Sequence, residues 1–125
     1  MNNNIEESYC SYEISKLLEK KGFDCICDKY YIAKYFDSNP YLSNDIPNDC
    51  FDYVSAPTHA LAIEWIRVNF GVWINIGFDS WGSEQFYWQI NQKGNKNLHA
   101  ENSLEYNTPQ EATNTALVYA LTKLI

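Results

Sequence analysis

Positive charge is what this sequence is short of. Its 9 Lys and Arg stand against 16 Asp and Glu, for a formal net charge of −7. Phosphate backbones are gripped by clustered cations, so this balance argues against nucleic acid as a direct partner. It leaves room for a basic protein partner, or for an acidic surface that competes with nucleic acid for one. Long apolar runs are missing too. None approaches the ~18 residues of a membrane span. The opening MNNNIEES has neither the basic n-region nor the apolar h-region of a signal peptide. These features point to a cytoplasmic protein without membrane contact, whose four cysteines are free thiols.

The residues that usually carry chemistry are few and scattered. Cys25 and Cys27 form one C-x-C pair, with Cys10 and Cys50 elsewhere. A structural zinc site needs paired, wider spacings, so these read as small buried hydrophobes and no metal is assigned. His59 and His99 are the only histidines, and neither stands in a nucleophile motif. Asp45, Asp49 and Asp52 cluster in one polar stretch, and Asp79 and Glu84 flank a turn. Neither group has the alternating ligands, central Gly and terminal Glu of a calcium loop. The Ser-Trp-Gly around Trp81 is no phosphate cradle, since it carries one Gly and no following Lys. No catalytic residue and no cofactor is assigned.

Aromatic rings are what the chain has in quantity, at 16% of 125 residues. One domain of this length buries roughly two-thirds of its unfolded surface, and large rings let it do so without disulfides or metal. Residues 1–8 are polar and are expected to fray.

Residues 55–78 organise the rest. Thr58 is a helix N-cap, Leu61, Ala62, Trp65 and Ile66 form an apolar helical face, and Gly71 ends the helix. The period then changes to two: Val72, Ile74, Ile76 and Phe78 face one way, Trp73, Asn75 and Gly77 the other. Ahead of this unit, Ser11 caps a helix to about residue 21 with Ile14, Leu17 and Leu18 inward. Residues 24–35 read as one strand with a bulge near Tyr30 and Tyr31. Residues 36–52 read as a loop, long enough to be functional or to contain unrecognised structure, and a short strand over 51–54 follows. Beyond Phe78, residues 85–92 return as a second strand with Phe86, Trp88 and Ile90 inward. Residues 93–97 form a turn and 104–106 a short strand. Thr108, Pro109 and Glu111 open a final helix with Ala112, Ala116, Leu117, Ala120, Leu121 and Leu124 on its inner face. The fold class is α+β, with two or three helices packed on one face of a small, mainly antiparallel β-sheet.

Three stretches, CSYEISKLLEKKGF, APT before a Trp-containing helix, and TPQEATNTALVYALTKLI, resemble a group of small uncharacterised proteins of gut Bacteroidales and their phages. The resemblance spans most of the chain but contains no catalytic or ligand motif. It implies a bacterial or phage accessory protein and supplies no site residues.

The outer face of the hairpin is the candidate site: Trp73, Asn75, Tyr87, Gln89 and Asn91 mix flat rings with amides. Trp and Tyr anchor protein interfaces. The leading expectation is a non-enzymatic protein that engages a protein partner or itself through this aromatic sheet face. The alternative is a small-molecule binder that sequesters a nucleotide-like ligand, with Lys29, Lys34, Arg67 or Lys93 meeting a phosphate. A metal-dependent enzyme using Asp49 or Asp52 comes third. A plain cross-strand pair of Trp73 with Tyr87, or burial beneath the long loop, is the competing structural explanation.

Overall fold

The computed structural model describes residues 7–33, 39–44, 52–101 and 106–125, with the backbone alone at 33, 52 and 95–101. Three helices and two antiparallel sheets make up an α+β fold.

Helix α1 spans Tyr12–Lys20, and the Ser11 hydroxyl caps it by accepting from the Ile14 amide at 3.2 Å. Gly22 leaves it at φ 93°, a left-handed angle that costs glycine nothing. Ile14 and Leu18 are buried, and Leu17 packs against the same core from a half-buried position. Upstream, the Ser8 carbonyl accepts from the His59 amide at 2.8 Å and ties the start of the described chain to the next helix.

The first sheet has the order β2-β1-β3, from β1 Tyr30–Ala33, β2 Tyr41–Ser43 and β3 Asp52–Ser55. Here the expected 24–35 strand needs correcting. Of it Tyr30–Ala33 pair, in uniform antiparallel register and without a bulge, and 34–35 lie outside the described residues. Residues 23–27 join no strand among the described residues, although their side chains alternate in burial. Phe23 and Cys25 lean on the core and Cys27 is buried, yet Ile26 between them is 95% exposed. The 36–52 stretch expected as a loop contains β2 and runs into the first residue of β3. Its residues 36–38 and 45–51, with Asp45 and Asp49, lie outside the described residues.

Helix α2, His59–Phe70, begins at Thr58, whose hydroxyl accepts from the Leu61 amide at 3.1 Å. Gly71, at φ 66°, ends it and turns the chain directly into β4, Val72–Phe78. β4 pairs with β5, Phe86–Gln92, over seven consecutive positions from Val72↔Gln92 to Phe78↔Phe86. The turn expected over 93–97 is shorter. Lys93 and Gly94 alone make it, and Asn95–Glu101 form β6 on the far side of β5. Gly94 supplies the positive φ the tight reversal requires. The second sheet therefore has the order β4-β5-β6 and leaves β4 at an edge. Of the strand expected over 104–106, Tyr106 makes an isolated bridge with Phe86, and 104–105 lie outside the described residues.

Helix α3, Pro109–Tyr119, has its Thr108 cap and Pro109 at the start, then continues as a π-helical turn over Ala120–Leu124. Ala112, Ala116, Leu117, Ala120 and Leu121 are buried. Small residues early in this face let the helix lie close on β4 and β5. The core gathers Ile14 and Leu18 of α1, Ala62, Trp65 and Ile66 of α2, Val72, Ile74, Trp88 and Ile90 of the sheet, and the α3 residues. All of the sheet residues in it come from one face of the β4–β5 hairpin.

Candidate functional site

Strand parity builds the other face. Trp73, Asn75 and Gly77 of β4 stand opposite Asn91, Gln89 and Tyr87 of β5, pair by pair. The five expected residues are thus neighbours on one surface, turned away from the helices. β6 extends the rows at the backbone level, with His99 paired to Asn91 and Glu101 to Gln89. Asn75 is exposed, Trp73 is 46% exposed, and Tyr87, Gln89 and Asn91 are half-buried.

Two contacts shape this surface. Tyr87 does not pair with Trp73; its ring occupies the space over Gly77, where any β-carbon would collide with the phenol. A glycine in a strand interior gives up packing and conformational entropy, and here the ring of the opposite residue fills the space. Trp73 has a different neighbour. Arg67, in the last turn of α2, sets its guanidinium 5.1 Å from the centre of the indole, a cation–π geometry. The same guanidinium bonds to Glu64 one helical turn back, with Nε donating to Oε2 at 3.0 Å. That bond is the first cause of the lowered Glu64 pKa. The face therefore presents a fixed indole, a fixed phenol and amides between them.

At the far end of the hairpin, residues 79–85 hold a structured turn. The Asp79 carboxylate accepts from the Ser83 amide at 3.0 Å and the Trp81 amide at 3.2 Å. These bonds, Ser83 first, keep its pKa below the ordinary carboxylate value. Glu84 takes φ 56°, which closes the turn. Trp81 projects from it and is 97% exposed, with Phe78 beside the turn at 49%. In the sequence Trp81 stands only in a Ser-Trp-Gly that fails as a phosphate motif. Its exposure follows from the turn geometry, and no periodic pattern signals it.

The other candidates do not assemble. Lys29 sits over the Tyr9 ring at 5.2 Å, Arg67 is matched by Glu64, and Lys93 lies in the β5–β6 turn, so these cations do not converge on one phosphate position. Lys34 lies outside the described residues. Cys10 is fully buried, and burial pushes its thiol pKa up to about 12. Among the described residues no three of His, Cys, Asp or Glu gather as metal ligands would. His59 shares a 2.8 Å hydrogen bond between Nε2 and the Asn114 side-chain oxygen, which clips α2 to α3. Burial lowers its pKa, partly opposed by that bond. Beside it a cleft of about 260 Å³ opens between the heads of the two helices. Glu7 lines this cleft together with Thr58, Ala60 and Gln110. A carboxylate there opposes the anions that helix N-termini otherwise attract. No described helix is long and apolar enough to cross a membrane.

No protein-family model, no curated protein and no solved structure gives a significant match to this chain.

Proposed function

We propose that this protein is a non-enzymatic binding protein that engages a protein partner through the outer face of the β4–β5 hairpin. One observation carries the reading: Trp73, Asn75, Tyr87, Gln89 and Asn91 share the face opposite the helix-packed core. Their two rings are held in place before any partner arrives, by Arg67 and by Gly77. Pre-positioned rings lose little side-chain freedom on binding, and for that reason Trp and Tyr dominate interface energetics. Amides between them bond to a partner backbone without the desolvation cost of a charge. The resemblance to small Bacteroidales and phage proteins fits an accessory role of this kind. The scatter of the described cations favours a protein over a nucleotide-like ligand.

The test is site-directed photo-crosslinking from position 75 in the producing cells. The expected result is a discrete covalent adduct to protein, absent when Trp73→Ala is introduced into the same chain. If only uncrosslinked chain is recovered, or if Trp73→Ala leaves the adduct unchanged, the face is not the contact surface.

A further inference from the structure

Among the described residues the hairpin has an unpaired edge beyond the buried Val72, as well as an open face. The Asp79 amide donates to the Gln85 carbonyl at 2.9 Å, and the Lys93 amide donates to the Gly71 carbonyl at 2.7 Å. These two bonds fix the phase of the ladder. Odd-numbered residues of β4 exchange hydrogen bonds with β5, and the N–H and C=O groups of Val72, Ile74, Ile76 and Phe78 point away from it. Among the described residues no strand lies on that side and no hydrogen bond to these groups is made.

Edge strands are normally blunted by a lysine, a proline, a bulge or a short length. β4 has none of these. Its sequence VWINIGF is uncharged, contains no proline, and runs seven residues in unbroken register. Such an edge is a template for another strand.

We infer that the occupant is β4 of a second copy, paired antiparallel across a two-fold axis at Asn75 so that the two sheets become one. The inference deepens the proposed function, naming the partner for the same hairpin. Three features of β4 match themselves under this operation. The outward-pointing residues within reach meet each other, Ile74 with Ile76 of the second copy, so their free backbone groups exchange hydrogen bonds, while Val72 is fully buried and stays outside the pairing. On the open face Trp73 falls opposite Gly77, the one position without a side chain, and its indole meets the Tyr87 ring that covers that glycine. Asn75 faces its own symmetry mate, and two amides are self-complementary in donors and acceptors. Charge fits as well. Arg67 and Lys93 stand at the Gly71 end of the strand and Asp79 and Glu84 at the other. Arg67 is already paired with Glu64, so antiparallel pairing sets Lys93 of one copy toward the Asp79 and Glu84 end of the other, twice, despite the net negative charge of both.

Sedimentation velocity from micromolar to millimolar concentration tests this on the whole chain, with Asn75→Lys, Asn75→Asp and an equal mixture of the two. Position 75 is exposed, so both variants are expected to fold, and a thermal melt monitored by circular dichroism verifies it. The expected result is a reversible wild-type dimer, weakened about tenfold in each variant by like charges meeting at the axis. Mixing the variants should restore it, because Lys then faces Asp. A dimer indifferent to both substitutions would overturn the edge pairing, and so would a chain monomeric up to millimolar concentration. The photo-crosslinking result separates this failure from that of the broader reading. An adduct to a different protein, lost with Trp73→Ala, keeps the face as an interface and gives it another occupant.

Discussion

The two faces of the β4–β5 hairpin are built from the same fourteen paired positions and have opposite fates. On one, Val72, Ile74, Trp88 and Ile90 disappear beneath α2 and α3. On the other, Trp73 and Tyr87 remain at least partly exposed although both are large rings of the kind that fill the core. The difference lies in what holds the rings. Core rings are immobilised by many neighbours: Trp65 by Phe23 and Phe70, Trp88 by Tyr119. Each ring on the open face is held by one device, a guanidinium for Trp73 and a glycine for Tyr87. Packing serves stability on the first face, and on the second a minimal scaffold keeps the rings presentable.

This contrast can be broken most sharply from the covered side. Ile90→Ala removes a fully buried side chain next to α3 and should cost about 2–5 kcal/mol in a denaturant melt. A loss near that of a surface residue would mean that the helices do not close over this face. Gly77→Ala should come next, at about 1–2 kcal/mol, because the new methyl displaces the Tyr87 ring. Adding Tyr87→Ala should recover part of that loss. Two additive substitutions would show that the ring does not rest on the glycine. Trp73→Ala should cost less than about 1 kcal/mol, the value of an exposed cation–π contact, while abolishing association. A Trp73 variant that unfolds would place that ring with the core. Asn75→Lys should leave the melting transition within about 0.5 kcal/mol of the parent and act on self-association alone.

Much of this arrangement was legible in the residues. Thr58, Gly71, Thr108 and Pro109 mark helix ends through local hydrogen-bonding needs, which a sequence displays directly, and the change of period at Val72 announced both hairpin faces. Two strands were missed for non-local reasons. β6 begins with Asn95, Lys96 and Asn97, polar residues that become a strand because β5 offers them a partner. β2 is three residues in a stretch rich in Asn, Asp and Pro, and its pairing with β1 decides its conformation. At the site, parity alone grouped Trp73 with Asn75, and Tyr87 with Gln89 and Asn91. It did not set Tyr87 opposite Gly77 and away from Trp73, because that needs the register. Nor did it bring Arg67 to Trp73, which depends on how α2 leaves its last turn.

The four tryptophans have a practical consequence, since they sit at graded depths: Trp88 at 5% exposure, Trp65 at 7%, Trp73 at 46% and Trp81 at 97%. The emission of the native protein is therefore a sum of shielded and water-bathed indoles. A soluble quencher such as acrylamide should reach Trp81 first, Trp73 next and the inner pair only on unfolding. With Trp81→Phe as background, the accessible fraction of the remaining light becomes a reading of Trp73 alone. The protein thus carries a built-in optical gauge of whether its open face is covered.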